Sequence, residues 1–174
     1  MLVYHVDLES VIYRQRKLQI FRPTVAVLLY AVDFHNRPVA LGLVRSHKSE
    51  DGAFTPLQGG IKRRETVWQA ATRELHEELG LHPREVQMGA YLGSFENRLP
   101  PERCKHGAYF GKEIHFVSAF VDRMNIRPAN AENKEFSWFF EANVLFSILA
   151  LARPEKCAAT IEAFTHSRTF RSRI

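Results

Sequence analysis

The sequence predicts an α/β domain on three observations: aliphatic and β-branched runs of strand length, one segment between them with sustained helical spacing, and turn residues at the joints. Its 174 residues amount to one domain at the usual ~150 residues each. No internal repeat or Pro/Gly/Ser-rich linker divides them, so 1–174 is expected to be a single domain. Residues 1–22 would be an N-terminal extension and 166–174 a basic C-terminal tail.

Residues 24–32 (TVAVLLYAV) and 39–44 (VALGLV) read as strands, and the turn composition of 33–38 (DFHNRP) joins them as an antiparallel pair. Residues 66–79 carry Val67, Trp68, Ala71, Leu75 and Leu79 at helical spacing, and Gly80 supplies a left-handed stop. Residues 86–95, 114–121 and 136–140 are further strands, the last two rich in Phe and Val. Residues 143–151 and 155–165 read as two helices broken at Arg153-Pro154, a cover for the sheet. Between strands, 96–112 (ENRLPPERCKHGAYFGK) is basic and without period: either a functional loop or simply a long one.

Composition excludes several classes. With 45% hydrophobic and 25% charged residues, most of the chain is not a disordered polymer. The longest apolar run, 25–32, is far short of a membrane helix, and Asp7 and Glu9 interrupt any secretory apolar core. Neither a membrane span nor a signal peptide is expected. Cys104 and Cys157 are isolated, with no zinc spacing and no disulfide framework, so a reducing cytoplasm is the expected location. A net charge of +5 suits an anionic partner or merely a solvated basic surface.

The chemistry concentrates on the helix. Glu74, Glu77 and Glu78 stand at i, i+3 and i+4, so they project from one face within about one 5.4 Å turn. Each like-charge pair so placed costs a few tenths of a kcal/mol, more if partly buried, and a cation should compensate. Arg73 and His76 are read as pointing elsewhere. A hard divalent ion with oxygen ligands would suit, as Mg²⁺ does when it shares a few carboxylates with substrate phosphates. Without it the glutamates would repel a phosphate substrate; taken alone, the three would read as a solvated acidic face.

The surrounding spacing decides between these. Gly59, five residues, Glu65, seven residues, then Arg73-Glu74-Leu75-x-Glu77-Glu78-x-Gly80-Leu81 resembles the box of the Nudix hydrolases, G-x5-E-x7-R-E-U-x-E-E-x-G-U with U a bulky aliphatic, at all nine defined positions. A chance match in this chain is on the order of 10⁻⁷. Outside the box, Gln58-Gly59-Gly60-Ile61, Pro100-Pro101-x-Arg103, Tyr109-x-Gly111-Lys112 and Glu135-Phe136-x-Trp138 are similar to the branch containing diadenosine tetraphosphate hydrolases and RNA 5′-pyrophosphohydrolases. The chain departs from that branch where Lys112 replaces a Gln and Trp138 arrives one residue early. Phe54-Thr55-Pro56-Leu57 replaces W-x-F-P, and Arg64 takes a glycine's place before the first box glutamate.

The resemblance implies an α/β/α sandwich with a mixed sheet and a Mg²⁺-dependent pyrophosphohydrolase, with Mn²⁺ as a substitute. Glu74, Glu77 and Glu78 would be catalytic and would hold the metal with the Gly59 carbonyl and Glu135. The water's proton would pass to Glu74, to Glu77 or to a carboxylate outside the box. Glu65 and Arg73 would pin the loop to the helix. Arg45, at a strand end, and Arg103, Tyr109 and Lys112 are expected to contact substrate. Lys62, Arg63 and Arg64 are either a solvated loop or extra phosphate contacts. Trp68 and Trp138 read as core. The expected substrate is a dinucleoside polyphosphate or the 5′ end of a triphosphorylated RNA; ADP-ribose, nucleoside triphosphates and nucleotide sugars are the alternatives. The chain would work as a monomer or homodimer, away from membranes. A catalytically silent nucleotide sensor is the rival class, but a pure binder gains nothing from carboxylates that repel phosphate, and every box glutamate is intact.

Overall fold

The computed structural model describes residues 21–46, 54–98, 109–129 and 133–140. They form β1 (Arg22–Val32), β2 (Pro38–Ser46), β3 (Leu57–Gly60), helix α1 (Val67–Leu79), a 3₁₀ turn (Pro83–Glu85), β4 (Gln87–Arg98), β5 (Gly111–Val121) and β6 (Asn133–Phe140). The strands make one mixed sheet in the order β4-β5-β1-β2-β6, with β3 paired to β1 off this path. The β1–β5 pairing is parallel and the other ladders are antiparallel. On one edge β1 pairs with β3 over Thr24 to Val27 and with β2 from Leu29 to Val32; its other edge pairs with β5 from Arg22 to Ala31.

Two cores explain the pattern of β1. Val25, Val27 and Leu29 pack with Val67, Ala70, Ala71, Leu75 and Leu79 of α1, whereas Ala26, Leu28 and Tyr30 pack on the opposite face with Leu41, Leu43, Ile114 and Phe116. A strand buried on both faces needs no polar alternation, so it appears in the sequence as an unbroken apolar run. Helix α1 begins at a capping box, in which Thr66 and Gln69 satisfy each other's backbone N–H, and ends at Gly80 in the left-handed conformation. Ala70 and Ala71 let it lie close to the sheet, and each large side chain it buries contributes about 1.5–3 kcal/mol.

The structure corrects several expectations. Strand β3 was not anticipated: four residues with two glycines carry no strand signal, and pairing with β1 imposes the conformation. The segment 96–112 begins and ends in strand, because β4 runs to Arg98 and β5 starts at Gly111. β1 and β6 start two and three residues earlier than expected, at Arg22 and Asn133, and β4 one residue later, at Gln87. Arg103, both cysteines, the helices expected at 143–151 and 155–165, and the tail at 166–174 lie outside the described residues, as does most of the extension at 1–22. Among the described residues no helix is long and apolar enough to cross a membrane.

Candidate active site

Gly59 is the hinge of the geometry. It stands opposite Val25 in the β1–β3 ladder, and a Cβ there would lie 1.8 Å from Oε1 of Glu74. Only a residue without a side chain lets that carboxylate rest against the β3 backbone. Glu74 and Glu78 are both buried, and a buried carboxylate requires partners close by.

Arg73 supplies much of it. Its Nε donates to Glu65 Oε1 at 2.7 Å and its Nη2 to Glu65 Oε2 at 3.0 Å and to the Gly60 carbonyl at 2.8 Å. The remaining nitrogen, Nη1, donates to Glu77 Oε2 at 3.0 Å and to Glu74 Oε1. The expectation that Arg73 points away from the acidic face is therefore wrong. Spacing fixes where a Cβ starts, but a long guanidinium can fold back over its own turn. His76 does stand apart, exposed, with its ring 6.4 Å from that of His82. The Arg73 bonds hold the Glu65 carboxyl below its usual range against the opposing effect of burial, with help from the Lys62 N–H, while Glu65 above all holds Arg73 more basic than a free guanidinium.

The donor set fits a hard divalent ion: carboxylate oxygens on one helix face, two of those groups buried, against a strand whose missing Cβ leaves room for an oxygen ligand. Among the described residues no three His, Cys, Asp or Glu side chains already surround one point. Arg73 would have to yield Glu74 and Glu77 for an ion to bind there.

The structure does not bring Glu135 to this helix. Phe136 and Trp138 pack on the α1 core and Phe139 on the second core, so strand alternation turns Glu135 to the face away from α1. There it pairs across β2 with Arg45, accepts a hydrogen bond from Ser137 Oγ at 3.0 Å, and leaves the Arg45 guanidinium 5.1 Å from the Phe54 ring centre. Lys112 lies on β5 opposite Arg22 and Asn97, and Tyr109 is exposed just before that strand. Trp138 is partly buried and donates its indole N–H to the Met124 carbonyl at 2.7 Å; Trp68 also packs on the α1 core.

Three features were not foreseen. Arg22, assigned to an extension, lies over Gly60, where a Cβ would be 2.8 Å from its Nη2. Arg64 takes φ +67, a left-handed backbone that glycine adopts without cost. His115 is wholly buried on β5, its Nδ1 3.0 Å from the Tyr91 hydroxyl and its Nε2 3.8 Å from Glu113 Oε1, and burial pushes its pKa down to about 4. No sequence signal marks it, since its strand neighbours are ordinary core residues.

Comparison with known proteins identifies the family and the fold. A family model described as the NUDIX domain matches residues 21–158. The RNA pyrophosphohydrolase of Xylella fastidiosa (strain 9a5c) is 34% identical over 125 residues, covering 67% of this chain and 60% of that protein. That of Psychrobacter cryohalolentis is 49% identical over 53 residues, covering 30% and 31%. The chain thus spans between about a third and three fifths of these relatives. A C. elegans Ap4A hydrolase binary complex superposes with a TM-score of 0.65 at 15% identity, over 88% of this chain and 99% of that one. A structure described as a possible asymmetric diadenosine tetraphosphate hydrolase from Jonesia denitrificans gives 0.64 at 17%, over 84% and 94%. At these identities the structural matches establish the fold.

Proposed function

This chain belongs to the NUDIX domain family, and from that premise we propose that it is a divalent-metal-dependent pyrophosphohydrolase acting on a nucleoside diphosphate-linked substrate. The substrate would be a dinucleoside polyphosphate or the 5′ end of a triphosphorylated RNA. The observation that carries the reading is the contact between Gly59 and Glu74, which sets a buried carboxylate against open backbone one helical turn from a second buried carboxylate, Glu78. Solvated acidic faces do not bury their charges. Relatives described as RNA pyrophosphohydrolases and structures described as Ap4A hydrolases support the substrate class.

Glu74, Glu77 and Glu78 would hold Mg²⁺, with Mn²⁺ as a substitute, and the Gly59 carbonyl is placed to assist. Bound there, the ion would neutralise phosphate oxygens and make a water acidic enough to attack phosphorus. A helix carboxylate would accept that water's proton, and Arg73, bonded to Glu74 and Glu77, holds them in place beforehand. Arg22, over Gly60, and Lys112, opposite it on β5, would steady phosphates beyond the one attacked, from the same sheet face as Arg45 and Glu135. Arg45 serves less well while Glu135 holds it.

The test is hydrolysis of dinucleoside polyphosphates, triphosphorylated RNA, ADP-ribose and nucleoside triphosphates at equal concentration, with and without Mg²⁺, by the protein and its Glu78→Gln variant. The expected result is Mg²⁺-dependent cleavage of one of the first two, with kcat lowered ~10²-fold or more by the substitution at little cost in stability. A variant keeping over half its kcat would sink the assignment.

A further inference from the structure

We propose that the rim where β4, β5 and β1 end beside the acidic site is a stacking platform for single-stranded RNA. It would hold the nucleotides that follow a 5′ end lying at Glu74. This rests on the reading above and favours RNA among its substrates. The ends of three neighbouring strands meet there: Arg98 stands opposite Gly111, Asn97 opposite Lys112, and Lys112 opposite Arg22. A Cβ at Gly111 would lie 2.2 Å from the Asn97 carbonyl, so glycine lets β4 and β5 close tightly just where Tyr109 and Phe110 emerge.

Those two rings, just before β5, are exposed, Tyr109 by 41% and Phe110 by 58%, whereas Phe116 within the strand is wholly buried. A third ring, Phe21, lies 5.9 Å from the Arg98 guanidinium. Arg98 is itself mostly exposed, and its ion pair with Glu96 is a surface contact that a phosphate can displace at little cost. Rings interleaved with cations are what a single strand needs, because every base offers a π-face and every nucleotide carries a phosphate. A mononucleotide would use one ring at most.

The platform reaches the site around the start of β1, where Phe21, beside Arg98, is followed directly by Arg22. Arg22 lies over Gly60, the Gly60 carbonyl accepts from Arg73, and Gly59 meets Glu74. From β3 across β1 to β5 is two strand spacings, ~10 Å, which stacked nucleotides rising about 3.4 Å each would span in three. A dinucleoside polyphosphate has one base at each end and no chain to follow this path.

Fluorescence anisotropy with a short 5′-hydroxyl single-stranded RNA in EDTA tests the platform apart from the chemistry, since this probe has no anhydride and no metal is present. Tyr109→Ala and Phe110→Ala should each weaken binding about 10-fold, and Phe110→Tyr should restore it. Arg98→Ala should flatten the dependence on salt. Hydrolysis of a dinucleoside polyphosphate by Phe110→Ala should be unchanged. Alanine variants that bind the strand as tightly as the parent, or a parent that binds duplex RNA as well as single strands, would overturn the platform. Loss of all hydrolysis with strand binding intact would instead count against the reaction assigned above.

Discussion

Glu74 Oε1 occupies the space that a side chain at Gly59 would fill, 1.8 Å from the position of its Cβ. The box glycine and the box glutamate are therefore one fitted contact between β3 and α1. Gly59→Ala should displace the carboxylate, lower kcat ~10²-fold and cost roughly 1–3 kcal/mol of stability through overpacking. At Gly60 the nearest atom to a new Cβ is the mobile end of Arg22, at 2.8 Å. Gly60→Ala should consequently change stability by less than about 1 kcal/mol. Thermal melts and steady-state kinetics of the pair separate a specific contact from a general intolerance of β3.

Arg73 uses its three nitrogens on Glu65, Glu74, Glu77 and the Gly60 carbonyl. Arg73→Ala leaves partly buried carboxylates without their counter-charge, and a loss of roughly 2–4 kcal/mol is expected, somewhat below a fully buried pair because Glu77 is half exposed. Mg²⁺ should raise the variant's melting temperature more than the parent's, since an ion at the helix would replace the missing charge. An unchanged melt with lost activity would make Arg73 a substrate contact instead.

What could be read in advance follows from burial. β1 and α1 were legible because two buried faces give a continuous apolar run and one buried face gives a helical stripe. The acidic face was legible from spacing alone. Strand β3 was not, because its conformation comes from the edge of β1 and its glycines serve Glu74 and Arg22. Nor was the side on which Glu135 falls: a short motif carries no register, and a shift of one residue moves a strand side chain to the other face. The sequence shows Arg64 as a departure from a family pattern, but its left-handed backbone is a fact of the structure alone.

That backbone makes its own prediction. A non-glycine residue at φ +67 costs on the order of 1 kcal/mol, and Arg64 is exposed with little packing to offset it. Arg64→Gly should stabilise the protein by roughly 0.5–1 kcal/mol in denaturant melts. Loss of stability on this change would mean that the Arg64 side chain makes a contact stronger than the strain it carries.

His115 ties stability to pH. Burial holds its folded pKa at about 4, below the ~6.5 of an unfolded chain, so the unfolded state binds the extra proton between these values. The contribution is complete above pH ~6.5 and falls away as pH drops toward 4, by up to about 3 kcal/mol. Ionised Glu113, 3.8 Å from Nε2, would reduce that figure by favouring the imidazolium. His115→Gln, which retains a partner for Tyr91, should flatten the stability profile between pH 7 and 4.5. An equally steep profile in the variant would assign the acid sensitivity to other groups.

Lys112 separates the polyphosphate substrates from ADP-ribose. It stands on β5 opposite Arg22, whose guanidinium lies over Gly60, so the two cations occupy adjacent strands on one face of the sheet. A substrate with two phosphates engages the ion and little else, whereas each further phosphate needs a cation of its own. Such a contact exists in the ground state and the transition state alike, so Lys112→Ala should raise KM several-fold for the longer polyphosphates with little change in kcat. Affinity for triphosphorylated RNA should fall steeply with salt in the parent and less steeply in the variant, because one fewer phosphate is neutralised. Should ADP-ribose give the highest kcat/KM, or should Lys112→Ala be kinetically silent on every polyphosphate, the long-substrate reading fails and hydrolysis of a nucleoside diphosphate derivative is what remains.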